Sequence, residues 1–205
     1  MQLVANLITP SNHLRQVSRV DPIVFDQVVY LKNQAESKHD TSLTNIVYMG
    51  MGEPLLNYKN VLNSIHYICS EDGLGMSPRR ITVSTAGIAK MIRKLGDDEV
   101  KFNLALSLHA ANDEKRNKIM EINETNNLEE LSDALRYFHE KTNSRVTFEY
   151  IIFKDFNDSI EDARELARFA KCVPCKINII EYNPIENGEF QQAEARKVEE
   201  FAQFL

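Results

Sequence analysis

The stretch Asn45-Ile-Val-Tyr-Met-Gly50-Met-Gly-Glu-Pro-Leu55-Leu-Asn-Tyr58 decides how this chain folds. A short apolar run, Ile46, Val47, Tyr48 and Met49, ends abruptly at Gly50 and Gly52, and Glu53 and Pro54 follow at once. That order predicts a buried strand over 45–49 opening into a tight loop. Glycines there let the backbone approach a ligand, because no Cβ intervenes and positive φ carries no steric penalty. Glu53 then falls just past the strand's carboxyl end, the edge at which α/β folds bind ligands. A carboxylate beside bare carbonyls suits an ammonium group better than a phosphate. The other reading, an ordinary turn with a solvated Glu53, is left open by this stretch alone.

Outward from it, strand and helix alternate. Val61, Leu62, Ile65 and Ile68 recur at helical spacing, with Gly73 placed to end the helix. Residues 80–84 alternate as a strand, and Ile88, Met91, Ile92 and Leu95 mark a helix stopped at Gly96. Residues 102–108 are apolar at nearly every position, as befits a strand covered on both faces. Asn112 and Asp113 favour a helix start, and Leu128, Leu131, Leu135 and Phe138 mark a longer helix beyond it. A strand over 146–153 is followed by a helix capped at Asn157-Asp158-Ser159, and a strand over 176–181 is broken by Tyr182-Asn183-Pro184. Val198, Phe201 and Phe204 belong to a final helix. Ahead of residue 45, Thr9 or Ser11 can cap a helix with Leu14 and Val17 inward, Asp21-Pro22 restarts it, and the polar run 33–44 is expected as a loop. Such alternation means parallel βα units wound right-handedly. The expectation is an α/β fold, an open arc of about five parallel strands with outer helices, in a single domain over 1–205.

With 205 residues, 43% hydrophobic and 26% charged, the chain can bury one sizeable core. Neither an eighteen-residue apolar run nor a signal-peptide pattern occurs, so no membrane partner and a cytoplasmic location are expected. A net charge of −6 argues against nonspecific nucleic-acid binding by these residues alone, since that depends on Lys and Arg neutralising phosphates. Cys69, Cys172 and Cys175 do not read as a disulfide framework. Cys172-Val-Pro-Cys175 lacks the second ligand pair of a zinc site, and Cys175 reads as a small packed hydrophobe. No metal ligand is assigned.

The run Gly50-Met51-Gly52-Glu53-Pro54-Leu55, followed in order by Val83-Ser84-Thr85-Ala86-Gly87, Ser107-Leu108-His109 and Tyr182-Asn183-Pro184, resembles the radical S-adenosylmethionine adenine-C2 RNA methyltransferases of the RlmN type. The likeness is collinear from about Ala5 to the C-terminus. It implies a partial TIM-like (βα) barrel of the radical SAM type, with S-adenosylmethionine as cofactor and 23S rRNA and tRNA as partners of the full-length enzyme. It also implies a [4Fe-4S] cluster held by a Cys-x-x-x-Cys-x-x-Cys run after the first strand; that run does not occur in these 205 residues. The chain is therefore expected to be a fragment without its first strand, without the separate N-terminal RNA-binding domain, and without the methylated cysteine expected beyond Leu205. It would hold no catalytic residue of its own and be inactive alone. Two alternatives stand beside this reading: a relative that methylates adenine C8, and a non-catalytic degenerate relative. The strand at 45–49 is expected to be an unpaired edge, open to edge-to-edge homodimer formation.

The resemblance assigns cofactor-binding roles residue by residue. Gly52 and Glu53 would hold the methionine amino group through carbonyl and carboxylate acceptors. Ser84 supplies a hydroxyl for a carboxylate or ribose oxygen; its other reading is an N-cap for the helix at Ile88. Ser107, Leu108 and His109 would meet the ribose and methionyl parts, His109 as a binding group only. Asn183 would pair with the adenine, against its bland reading as a turn residue before Pro184. Glu149 is left between a catalytic group and a polar core layer. All four motifs are expected at the carboxyl ends of strands.

Overall fold

The apolar runs do form strands, and the periodic segments between them form helices. The structure, a computed structural model, describes residues 2–5, 20–49, 52–186 and 188–205, with side chains from residue 24 onward. Among these residues the order is β1 (Gln2–Ala5), α1 (Val20–His39), β2 (Asn45–Tyr48), α2 (Tyr58–Cys69), β3 (Ile81–Thr85), α3 (Ala89–Asp97) and β4 (Asn103–Ser107). Then come α4 (Asp113–Ile119), α5 (Leu128–Thr142), β5 (Val146–Ile152), α6 (Ile160–Phe169), β6 (Cys175–Glu181) and α7 (Ala195–Phe204). The sheet follows chain order, β1-β2-β3-β4-β5-β6. By contacts the chain falls into two compact units: Met1–Thr85 with Lys101–Leu104, and Ala86–Val100 with Ala105–Leu205.

In the first unit, β1 pairs parallel to β2 from Gln2↔Asn45 to Ala5↔Tyr48, and β2 pairs parallel to β3 from Ile46↔Ile81 to Tyr48↔Val83. This corrects two expectations. The first strand is not missing, and the strand at 45–49 is not an open edge, because Gln2–Ala5 occupies the side on which a second copy was expected to pair. Ile46 and Tyr48 are fully buried, and the Tyr48 hydroxyl meets Ser64 Oγ at 2.9 Å, so α2 is tied to β2 by a hydrogen bond inside the core. Burial pushes the Tyr48 phenol up to about 12. The polar run after residue 33 also differs from expectation: α1 continues to His39. Ala35 is wholly buried there while Lys32 pairs with Glu36 on the outside, so the polar letters are one solvated helical face rather than a loop. The expected N-terminal caps Thr9 and Ser11, with Leu14 and Val17, lie outside the described residues, as do Gly50 and Met51.

In the second unit, β5 and β6 pair parallel over seven residues, from Val146↔Cys175 to Ile152↔Glu181. Helices α3 and α5 bury Ile92, Leu95, Leu131, Ala134, Leu135 and Phe138. Gly96 does not stop α3, which runs on to Asp97. It is small because α5 passes close by: a Cβ there would lie 3.2 Å from the Tyr137 ring and 3.3 Å from the Phe138 backbone. The helix starts read at Asn112 and at Asn157-Asp158-Ser159 do hold: Asn112 caps α4, and Ser159 forms a reciprocal capping box with Asp162 at the start of α6. Asn127, which the sequence reading does not name, caps α5. Burial pushes the Cys172 thiol up to about 11 and raises that of Cys175, which keeps both as inert thiols at neutral pH.

Candidate functional site

In the first unit Gly52 and Glu53 follow the carboxyl end of β2, whereas Ser84 lies inside β3. Gly52 adopts φ +104°, a conformation that favours glycine, and is exposed. Glu53 then returns to extended backbone and its Oε1 accepts the Leu55 N–H at 2.9 Å, capping the short 3₁₀ turn Pro54–Asn57. Because Leu55 is buried, this turn is anchored in the core and fixes the half-buried Glu53 carboxylate at its start. Ser84 lies within β3 and not beyond it, one residue after the Tyr48 partner Val83, and is 5% exposed. It is not the N-cap of α3; that place is taken by Ile88.

In the second unit Ser107 ends β4, and the chain turns sharply at Leu108 and His109. The N–H groups of these two residues both donate to one carbonyl, that of Glu149, at 2.9 and 3.2 Å. His109 has φ +56°, in the left-handed region, and three bonds hold it there. Besides its own N–H, its Nδ1 accepts the Ile151 N–H at 3.1 Å and its carbonyl accepts the Asn157 amide at 2.7 Å. A ring nitrogen that accepts a backbone N–H carries no proton, so the neutral ring bears its hydrogen on Nε2. Burial first, and the charge of Arg116 second, lower its pKa to about 4. His109 is therefore an uncharged hydrogen-bond donor at neutral pH.

Two residues to which the sequence reading gives no site role hold this turn. Arg116 is completely buried; its Nε donates to the Leu108 carbonyl at 3.1 Å, one terminal nitrogen to Ser107 at 3.2 Å and Ala86 at 2.6 Å, and the other to Asn123 Oδ1 at 2.6 Å. Burial lowers its pKa to about 10, partly countered by Asp113, and the guanidinium remains cationic. Asn157, also fully buried, donates to the His109 and Ile151 carbonyls and accepts the Phe153 N–H at 2.7 Å. Its place in the run Asn157-Asp158-Ser159 suggests a share in the cap of α6, a role that Ser159 takes. Nothing in the charged run 113–116 distinguishes Arg116 from a solvated residue.

Asn183 is exposed, two residues beyond the end of β6. Its neighbour Tyr182 packs on Phe153 at 4.9 Å between ring centroids, and Phe153 in turn packs on Phe190 at 4.4 Å. Together with the Lys154 N–H to Gln191 carbonyl bond at 2.9 Å, these contacts fasten the segment after β6 to the end of β5. Glu149, 8% exposed, accepts the Asn178 amide at 2.7 Å across the β5–β6 pair. That contact accounts for it as a polar cross-strand partner.

The Radical SAM superfamily model matches residues 16–170, more than half of the chain. This chain belongs to the radical SAM superfamily. Within it the chain is similar to proteins of the RlmN type. The "Probable dual-specificity RNA methyltransferase RlmN" of Cytophaga hutchinsonii is 60% identical over 182 residues, 89% of this chain and 50% of that protein. The protein of the same name from Christiangramia forsetii is 55% identical over 181 residues, 88% and 51% of the two chains. Thus the chain spans about half the length of the curated relatives it matches. Among solved structures, a radical SAM methyltransferase from Sphaerobacter thermophilus is 36% identical with a TM-score of 0.87, covering 91% of this chain and 55% of its own. No helix among the described residues is long and apolar enough to cross a membrane.

Proposed function

We propose that this chain is the S-adenosylmethionine-binding part of a cytoplasmic enzyme that methylates C2 of adenine in 23S rRNA and tRNA. The observation that carries the reading is the 60% identity to an RlmN protein over 182 residues, beside the four motifs read in the sequence. The residues described also fit the cofactor's chemistry. A positive-φ glycine beside a fixed carboxylate, Gly52 and Glu53, suits a cationic amine. The uncharged, oriented His109 turn, with Ser107 and Leu108, and the buried hydroxyl of Ser84 offer neutral partners for ribose and methionyl oxygens. Exposed Asn183 has the amide a purine edge needs. When bound, the cofactor supplies the methyl group.

The same residues do not fit a [4Fe-4S] cluster. Among the described residues no group of three His, Cys, Asp or Glu could hold a metal ion, and the chain's three cysteines stand at 69, 172 and 175. No step is assigned to such a group, and these 205 residues by themselves are expected to bind the cofactor weakly and to transfer no methyl group.

The test compares this chain with the full-length protein after anaerobic iron and sulfide reconstitution. Calorimetry with S-adenosylmethionine should show binding by the full-length protein, and mass spectrometry of digested 23S rRNA should show 2-methyladenosine. An 8-methyladenosine product would replace this reading with that of the C8 relative, and a full-length protein that neither binds the cofactor nor methylates RNA would leave the non-catalytic relative.

A further inference from the structure

We infer that Arg116 is the positioning residue of the cofactor site, its guanidinium drawing the carbonyls of Ser107, Leu108 and Ala86 to one point and so shaping the turn that presents His109. The inference rests on the reading of Ser107, Leu108 and His109 as cofactor-binding residues.

Around this turn the polar backbone atoms are accounted for one by one. The carbonyls of Ser107 and Leu108 go to Arg116, while the N–H groups of Leu108 and His109 go to the Glu149 carbonyl. With both sides of these peptide units fixed, His109 is held at φ +56°, an uncommon conformation for a residue other than glycine. The third carbonyl, Ala86, brings in the turn that precedes α3. Lysine could not replace this arrangement, because its single ammonium lacks the planar fork that reaches three carbonyls and an amide together.

The outer end of the guanidinium is itself braced. Asn123, 2% exposed, accepts from Arg116 through Oδ1 and donates through Nδ2 to Asp113 at 2.8 Å and Asn117 at 2.6 Å. Asp113 also accepts the Leu128 N–H at 3.0 Å. Ser107, Leu108, Ala86 and Asn123 all offer Arg116 neutral oxygens, and the Asp113 carboxylate stands one residue removed, behind Asn123. A fully buried cation solvated by carbonyls is a costly way to stabilise a core, since apolar side chains of similar volume often do as well. What it supplies that an apolar residue cannot is orientation of those carbonyls. The positive charge also favours the uncharged form of His109.

The experiment uses the full-length, reconstituted protein carrying Arg116→Gln, Arg116→Lys or Asn123→Ser. Calorimetry should show the S-adenosylmethionine Kd raised about tenfold or more by Arg116→Gln and Arg116→Lys and severalfold by Asn123→Ser, with KM for RNA unchanged. The His109 ring, followed by NMR titration, should move upward in pKa in Arg116→Gln. A purely structural residue would lower Tm without changing the Kd of the folded fraction. Unchanged cofactor affinity in folded Arg116→Lys and Asn123→Ser overturns the inference even if Arg116→Gln fails to fold. A wild-type protein that binds no S-adenosylmethionine fails earlier, and takes the underlying assignment down with it.

Discussion

His109 Nδ1 accepts the backbone N–H of Ile151 at 3.1 Å, so the imidazole terminates a strand bond that a peptide carbonyl would otherwise satisfy. Protonating that nitrogen would break the bond and place a cation close to Arg116. Burial first, and the charge of Arg116 second, lower the pKa from 6.5 to about 4. In the unfolded chain the ring titrates near 6.5. Between the two values the unfolded state binds the extra proton and the folded state does not. The contribution of His109 is therefore complete above about pH 6.5 and is lost as pH falls toward 4, by about 3–4 kcal/mol at most. Urea titrations at pH 7, 5.5 and 4 should show the decline, and His109→Asn, which tolerates the left-handed backbone, should flatten it. An imidazole that titrates near 6.5 by NMR would contradict this.

Asn157 joins the two ends of the same turn. Truncation to alanine leaves the Phe153 N–H without its acceptor and the His109 carbonyl without its amide donor, both in a buried place. An orphaned buried group costs about 1–3 kcal/mol, so Asn157→Ala should lower the urea midpoint by an amount in that range or somewhat above it, at an unchanged m-value. Hydrogen exchange should locate the loss at residues 109 and 153.

How much of this was legible in the letters depends on whether a residue's role is local. Strands such as Leu104-Ala105-Leu106 announce themselves because burial on both faces demands an apolar run, and Ser159 with Asp162 announces α6 because a cap is made within four residues. Gly96 misled because its smallness answers to Tyr137 and Phe138, some forty residues away. The run after residue 33 misled because a solvated helical face and a loop share a composition, and only buried Ala35 separates them. Gln2–Ala5 is four residues long, too short for alternation to show, and its pairing with β2 exists only in the assembled sheet. Likewise the motif residues could be placed at strand ends, whereas Arg116 and Asn157 act through carbonyls that any sequence possesses.

Helix α7 offers a test of what holds an outer helix in place. Phe201 is fully buried, with its ring 5.3 Å from that of Tyr150, and Lys197 reaches both exposed Asp155 at 2.8 Å and buried Asp158 at 3.2 Å. Exposed ion pairs contribute little, whereas removing a buried aromatic ring costs about 3–5 kcal/mol. Phe201→Ala should thus destabilise the protein far more than Lys197→Met, and limited proteolysis should cut near residue 195 only in the former. Equal losses would mean that the Lys197–Asp158 contact, not the ring, anchors the helix.

Gly87 follows β3 at φ +109°, and a methyl group there would lie 3.0 Å from Leu131 Cδ2 and 3.1 Å from Leu106 Cδ1. Two penalties therefore act on Gly87→Ala. Backbone strain contributes about 1–3 kcal/mol, and overpacking against two fixed leucines about as much again. Gly75 separates them, since it has φ +57° with nothing within 4 Å of its would-be Cβ. Gly75→Ala should cost only the left-handed penalty, about 1–2 kcal/mol, while Gly87→Ala should cost roughly twice that. Trimming the obstructing side chain gives the sharper measurement. In a Leu131→Ala background the added methyl of Gly87→Ala meets a cavity, so the double mutant should be more stable than the sum of the single losses by about 1 kcal/mol. Strict additivity would show that strain at residue 87, and not the contact with Leu131, is what requires glycine there.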